Sequence, residues 1–142
     1  MLKTETPNTE HSQLDQYATP QLVDTLVDDQ LAAIKAVRAA SREIAAAVDA
    51  AVPRMEAGGR LIYVGAGTSG RLGVLDSVEL YPTFSWPKER AVALLAGGID
   101  AMFVAVEGAE DDLEQGSADL RALSPTANDV VLLLAASGRT PY

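Results

Sequence analysis

Three short apolar runs without alternation stand in the second half of the chain, at residues 61–64 (LIYV), 91–96 (AVALLA) and 129–135 (DVVLLLA). Runs of this kind predict strands buried on both faces of a parallel sheet. The stretches between them are long enough for helices, and such connections between buried strands imply right-handed crossovers and an αβα layering. The upstream half reads as helix. Thr19 and Pro20 resemble an N-cap with proline at the first helical position, opening a short helix over residues 21–28. Residues 30–57 carry Ile34, Val37, Ser41, Ile44, Val48, Val52 and Met55 at spacings of three and four, one face of a long helix. Pro53 predicts a kink or break near residues 49–52, and Gly58-Gly59 ends the helix. Further helices are predicted from near Ser69 to Pro82, from Gly97-Gly98 to about Val106, and over residues 112–122.

The first strand leads into Gly65-Ala66-Gly67-Thr68-Ser69-Gly70. A strand, a glycine-rich turn and a helix together aim backbone N–H groups and the positive end of a helix dipole at an anion. The same residues fit G-x-G-x-x-G, so a dinucleotide is an alternative to a phosphosugar. A dinucleotide site requires an acidic residue at the end of the next strand, but residues 91–96 run into Gly97-Gly98, and the first acid is Asp100. The hydroxyls of Thr68 and Ser69 favour a phosphate monoester. The remaining alternative is a tight turn with no ligand. The third strand ends in a second glycine-and-hydroxyl loop, Ser137-Gly138-Arg139-Thr140, where ligands of parallel sheets bind. Two such loops would grip a monophosphate from both sides.

Composition narrows the chemistry. The 142 residues, 48% of them hydrophobic, fit a single globular domain, and no apolar run is long enough to cross a bilayer. With no cysteine and one histidine, thiol chemistry and a zinc site are not expected. His11 reads as a surface residue. The net charge of −9 argues against nucleic acid or an anionic membrane as partner. An anionic substrate therefore needs local positive charge from helix N-termini, Arg71 or Arg139. Proton transfer falls to carboxylates, with Glu79 on the helix after the glycine turn and Glu107, Glu110, Asp111 and Asp112 near the second connection. Most acidic clusters are solvated faces, but two carboxylates in different environments can serve as acid and base.

Three stretches carry a resemblance: GRLIYVGAGTSGRLGVLDSVE, AGGIDAMFVAVEGAEDD and AASGRTPY. With the N-terminal TPNTE and LDQYATPQLVD, they resemble the N-acetylmuramic acid 6-phosphate etherases of the sugar isomerase (SIS) fold superfamily, over essentially the whole chain. The glucokinase regulatory protein is related, sharing the fold and sugar phosphate binding without the catalysis. The resemblance implies an α/β fold, three-layer αβα with a parallel, flavodoxin-like sheet preceded by N-terminal helices and truncated at the C-terminus. Residues 1–19, polar and without a sustained period, read as an extended arm, and residues 20–59 as helices for packing or a dimer contact. The resemblance makes 60–142 the N-terminal part of a SIS domain.

It also implies a cytoplasmic, homodimeric lyase, without cofactor or metal, acting on a phosphorylated amino sugar in cell-wall recycling. Glu79 would be the acid that assists lactate departure and Glu110 the base at C2. Gly67, Thr68, Ser69, Ser137, Gly138, Arg139 and Thr140 would bind the phosphate and sugar. Family members read ASECPPT where this chain has SVELYPT, so Tyr81 stands beside the acid in place of a small or rigid residue. Glu79 also lies nine residues past Gly70, about 13 Å along a straight helix. Either the helix bends back or ends early, or Glu79 serves a site completed by another subunit, which resemblance to a dimeric family favours.

Overall fold

The computed structural model describes Thr6 and residues 8–142. The chain divides into two compact units, Met1–Ala50 and Ala51–Tyr142. Of the expected arm, residues 1–5 and 7 lie outside the described residues. The rest of it carries two 3₁₀ turns, Thr9–His11 and Leu14–Gln16, the first capped by Asn8 accepting from the Glu10 N–H. The His11 Nδ1 sits 3.0 Å from the Tyr17 hydroxyl.

Helix α1 spans Thr19–Ala39 and α2 spans Ser41–Glu56. Thr19 is thus the first helical residue, and Ala18 takes the cap position. No break occurs at residues 28–30, because Asp28-Asp29-Gln30 costs only tenths of a kcal/mol in propensity, below the ~1 of glycine or ~3 of proline. The expected break near residues 49–52 is also absent, and the helices part at Ala40 instead. Its N–H is shared between the Ala36 and Val37 carbonyls, which tightens the turn. Pro53 lies in the last turns of α2, where it removes a single helical bond and the helix tolerates it. The Gly58 N–H donates to Met55 and the Gly59 N–H to Arg54, closing α2 with a Schellman motif.

In the second unit, β1 (Leu61–Gly65) lies between β2 (Ala91–Leu95) and β3 (Val130–Leu134), all parallel. Leu61 pairs with Ala91 on one side and Val130 on the other. The central strand is the core, with Ile62 0% exposed and Tyr63 and Val64 buried beside it. On the open edge β3 is less covered than its apolar sequence predicts, and Leu133 is 76% exposed.

Helix α3 (Gly67–Phe84) returns the chain from β1 to β2. Pro82, expected to end it, sits inside the last turn, and Ser85 closes the helix in the left-handed region, its N–H donating to Tyr81. The helix expected from Gly97-Gly98 to Val106 is reduced to one 3₁₀ turn, Ile99–Met102. Both glycines have positive φ, and Phe103 is 86% exposed, so no apolar face is buried to stabilise a longer helix. A second 3₁₀ turn, Ala109–Asp111, precedes α4 (Leu113–Ala122), which Asp112 caps by accepting from the Gln115 N–H at 2.9 Å. Among the described residues no helix is long and apolar enough to cross a membrane.

Two arginines fasten the sheet at its base. Arg60 donates from Nε and Nη2 to the two oxygens of Asp129, which also accepts from the Arg60 and Thr126 backbones. The Arg60 guanidinium holds the Asp129 carboxyl well below the usual carboxylate range. Arg90 donates to the carbonyls of Met55, in the last turn of α2, and Gly59, just past its end, and stacks on Trp86.

Candidate functional site

The site is built where β1 ends and α3 begins. Gly70, in the first turn of α3, lies so close to β1 that a Cβ would stand 2.4 Å from the Gly65 carbonyl oxygen. Glycine therefore lets the helix start directly on the strand end, with its unpaired first-turn N–H groups at the carboxyl edge of the sheet. Gly67 and Thr68 are exposed there and Ser69 is half-buried. β3 is the neighbour of β1, so its loop, Ser137 to Thr140, emerges at the same edge. Ser137 Oγ accepts from the Arg139 N–H at 3.2 Å and shapes that loop.

On the β2 side a cavity of about 180 Å³ opens beside the helix start. Gly67, Arg71, Ala101, Glu107 and Glu110 are among its lining residues. Arg71, one turn into α3, donates from Nε to the Ala101 carbonyl at 2.9 Å and ties the helix to the loop after β2. Glu110 is held through its backbone, since its carbonyl accepts from the Tyr142 N–H at 3.1 Å. Tyr142 is itself anchored on α4, its hydroxyl donating to Asp119 at 2.7 Å and its backbone packed against Gly116. Burial, then the Asp119 contact, pushes the Tyr142 phenol above its ordinary range. Tyr63 likewise reaches from β1 to Asp76 on α3, fixing the rotation of the helix over the sheet.

The structure brings Gly67, Arg71 and Glu110 into one cavity. Thr68, Ser69, Ser137, Gly138, Arg139 and Thr140 lie outside its lining, on the β1 and β3 loops. Glu79 is not brought to it. It is exposed on α3, twelve residues past Gly67, about 18 Å along the helix. Sequence reasoning missed Tyr142 as the anchor of the Glu110 turn, and it treated Glu107 only as part of a charge run. The role of Tyr142 is not readable in the sequence, because it depends on the chain after β3 folding back on α4.

A parallel sheet whose central strand opens into a glycine-and-hydroxyl turn at a helix N-terminus is the α/β arrangement in which anions are bound at strand ends. Residues 43–142 match the family described as the glucokinase regulatory protein N-terminal SIS domain, and the chain belongs to that family. It is also similar to proteins named N-acetylmuramic acid 6-phosphate etherase. It is 56% identical to that of Deinococcus radiodurans over 140 residues, 99% of this chain and 46% of that protein. It is 52% identical to that of Lactobacillus gasseri over 142 residues, 48% of that protein. With etherase 1 of Enterococcus faecalis it shares 50% over 141 residues, 47% of that protein. The chain spans about half the length of these curated relatives.

Proposed function

We propose that this chain carries the phosphate-gripping loops and both catalytic glutamates of an N-acetylmuramic acid 6-phosphate etherase. The reaction releases D-lactate and N-acetylglucosamine 6-phosphate, a step in recycling cell-wall amino sugar in the cytoplasm. The observation that carries the reading is Glu110 lining a small cavity beside the N-terminus of α3, with Arg71 opposite. The helix start, Thr68, Ser69 and the Ser137 to Thr140 loop take the phosphate. In the open-chain sugar the C2 proton is α to the C1 aldehyde, and Glu110 removes it. The C3–O ether bond then breaks as Glu79 protonates the departing oxygen, leaving a 2,3-unsaturated aldehyde. Water activated by Glu110 adds at C3, and the C2 carbon regains a proton. Neither metal nor nucleotide enters this balance, and the work is general acid and base catalysis by two carboxyl groups.

The exposed position of Glu79 is consistent with a homodimer in which this acid serves a site completed by the partner copy. It also favours a second reading, a phosphosugar-binding regulator without catalysis, in keeping with the name of the matched family. Lactate release from N-acetylmuramic acid 6-phosphate separates the two. The etherase predicts release by this chain, or by a version extended to the length of its relatives. Glu79→Gln and Glu110→Gln should each lower the rate at least ~100-fold, the usual contribution of a positioned acid or base. Phosphosugar binding without lactate from either length would leave the regulator.

A further inference from the structure

The cavity is below the ~300–1,000 Å³ of pockets that hold a whole ligand, so it takes one part of a substrate. Its walls separate two kinds of contact. Ala96, Ala101, Ala105 and Val106 are apolar, whereas Arg71 is the one basic residue among the described lining residues. The Arg71 Nε is committed to the Ala101 carbonyl, which fixes the guanidinium against the wall. Among the described residues no hydrogen bond or ion pair engages its two Nη nitrogens. A guanidinium with one edge pinned and its other donors uncommitted is preorganised for a bidentate carboxylate.

We infer that Arg71 binds the carboxylate of the substrate's lactyl group and selects the lactyl-bearing sugar over the same phosphosugar without it. The inference rests on the etherase reading and deepens it. N-acetylmuramic acid 6-phosphate has two anionic groups, the phosphate on C6 and the lactyl carboxylate carried on the C3 oxygen. The loop after β3 lies on one side of the α3 N-terminus, which itself carries Thr68 and Ser69, and the cavity opens toward the other, following the strand order β2-β1-β3. With the phosphate at the loops, C2 and C3 point toward Glu110, and the lactyl ether on C3 enters the cavity. Its methyl meets the alanines and Val106, and its carboxylate meets Arg71. Unpaired, that carboxylate would face Glu107 and Glu110, so the arginine also offsets a repulsion.

Calorimetric titration with N-acetylmuramic acid 6-phosphate and with N-acetylglucosamine 6-phosphate tests this, using Glu110→Gln as the common background so that substrate is not consumed. The background protein is expected to prefer the lactyl-bearing sugar. Adding Arg71→Met should weaken that sugar about 10- to 100-fold, as for loss of a charge-assisted hydrogen bond, and leave the other within about twofold. Retained affinity for the second sugar doubles as the check that the variant folds. Arg71→Lys, which keeps the charge without the fork, should recover only part of the preference. Equal weakening of both sugars would assign Arg71 to the phosphate or to the fold and overturn the inference, as would an unchanged preference in Arg71→Met. A parent chain that binds both sugars equally overturns it while leaving the etherase reading standing. Failure to bind either sugar overturns both.

Discussion

Asp129 illustrates how much one side chain can organise. Its two oxygens accept from the Arg60 side chain and from two backbone N–H groups, joining the entry of β1 to the entry of β3. The guanidinium depresses its pKa, so the stabilisation is fully present above the unfolded value of about 3.9 and is lost as pH falls toward the folded one. Asp129→Asn should therefore lower the melting temperature by an amount that is constant near neutrality and shrinks in acid. Melts of both proteins between pH 7 and pH 3 check this, and a difference that grows in acid would contradict it. At this scale the sequence was only partly readable. Glu110, one of the two candidate carboxylates, lies in the cavity, whereas Glu79, the other, lies on an exposed helical face. Arg60 and Asp129 drew no attention, because a charged pair becomes visible only when the strands bring residues 69 apart together.

Among the elements, α3 is the one whose placement decides the site. Gly70 sets its approach to β1, and Tyr63 sets its rotation through Asp76. Gly70→Ala would place a methyl against the Gly65 carbonyl and Leu95. A cost of about 1–3 kcal/mol or more follows from overpacking against backbone. Phosphosugar affinity should fall with it, because the helix start must shift. Denaturant melts together with titration of a phosphosugar test both, and a stable variant with full affinity would show the contact to be soft. The strands were legible because unbroken apolar runs carry a local signal, and α4 begins within a residue of its expected start. The segment after β2 was not. Its apolar residues Ile99, Met102 and Val106 have helical spacing, but two positive-φ glycines and the lack of a packing partner prevail over periodicity.

The whole molecule holds more apolar surface outside than its sequence pattern implies. None of the residues of α1 or α2 is buried, and Val23, Leu26, Ile34, Val37, Ile44 and Val48 are each about half exposed or more. On α3, Leu72, Leu75, Val78 and Phe84 are likewise exposed, as is Leu133 on the β3 edge. Surfaces of this extent mark interaction sites in folded proteins. They accord with the proposal that Glu79 works in an assembly larger than one chain.

The strand order also bears on the sequence of folding events. Arg90 reaches Gly59 across 31 residues, whereas Arg60 reaches Asp129 across 69. Each doubling of a closed loop adds about 0.6 kcal/mol of entropy cost, so the β1–α3–β2 unit has the easier closure, and β3 is expected to dock onto a sheet edge that already exists. On that order the bond between Arg60 and Asp129 forms after the rate-limiting step. Its removal should speed unfolding several-fold while leaving the refolding rate nearly unchanged. Stopped-flow chevrons of Asp129→Asn measure both arms, and slowed refolding would mean that β3 joins at the start.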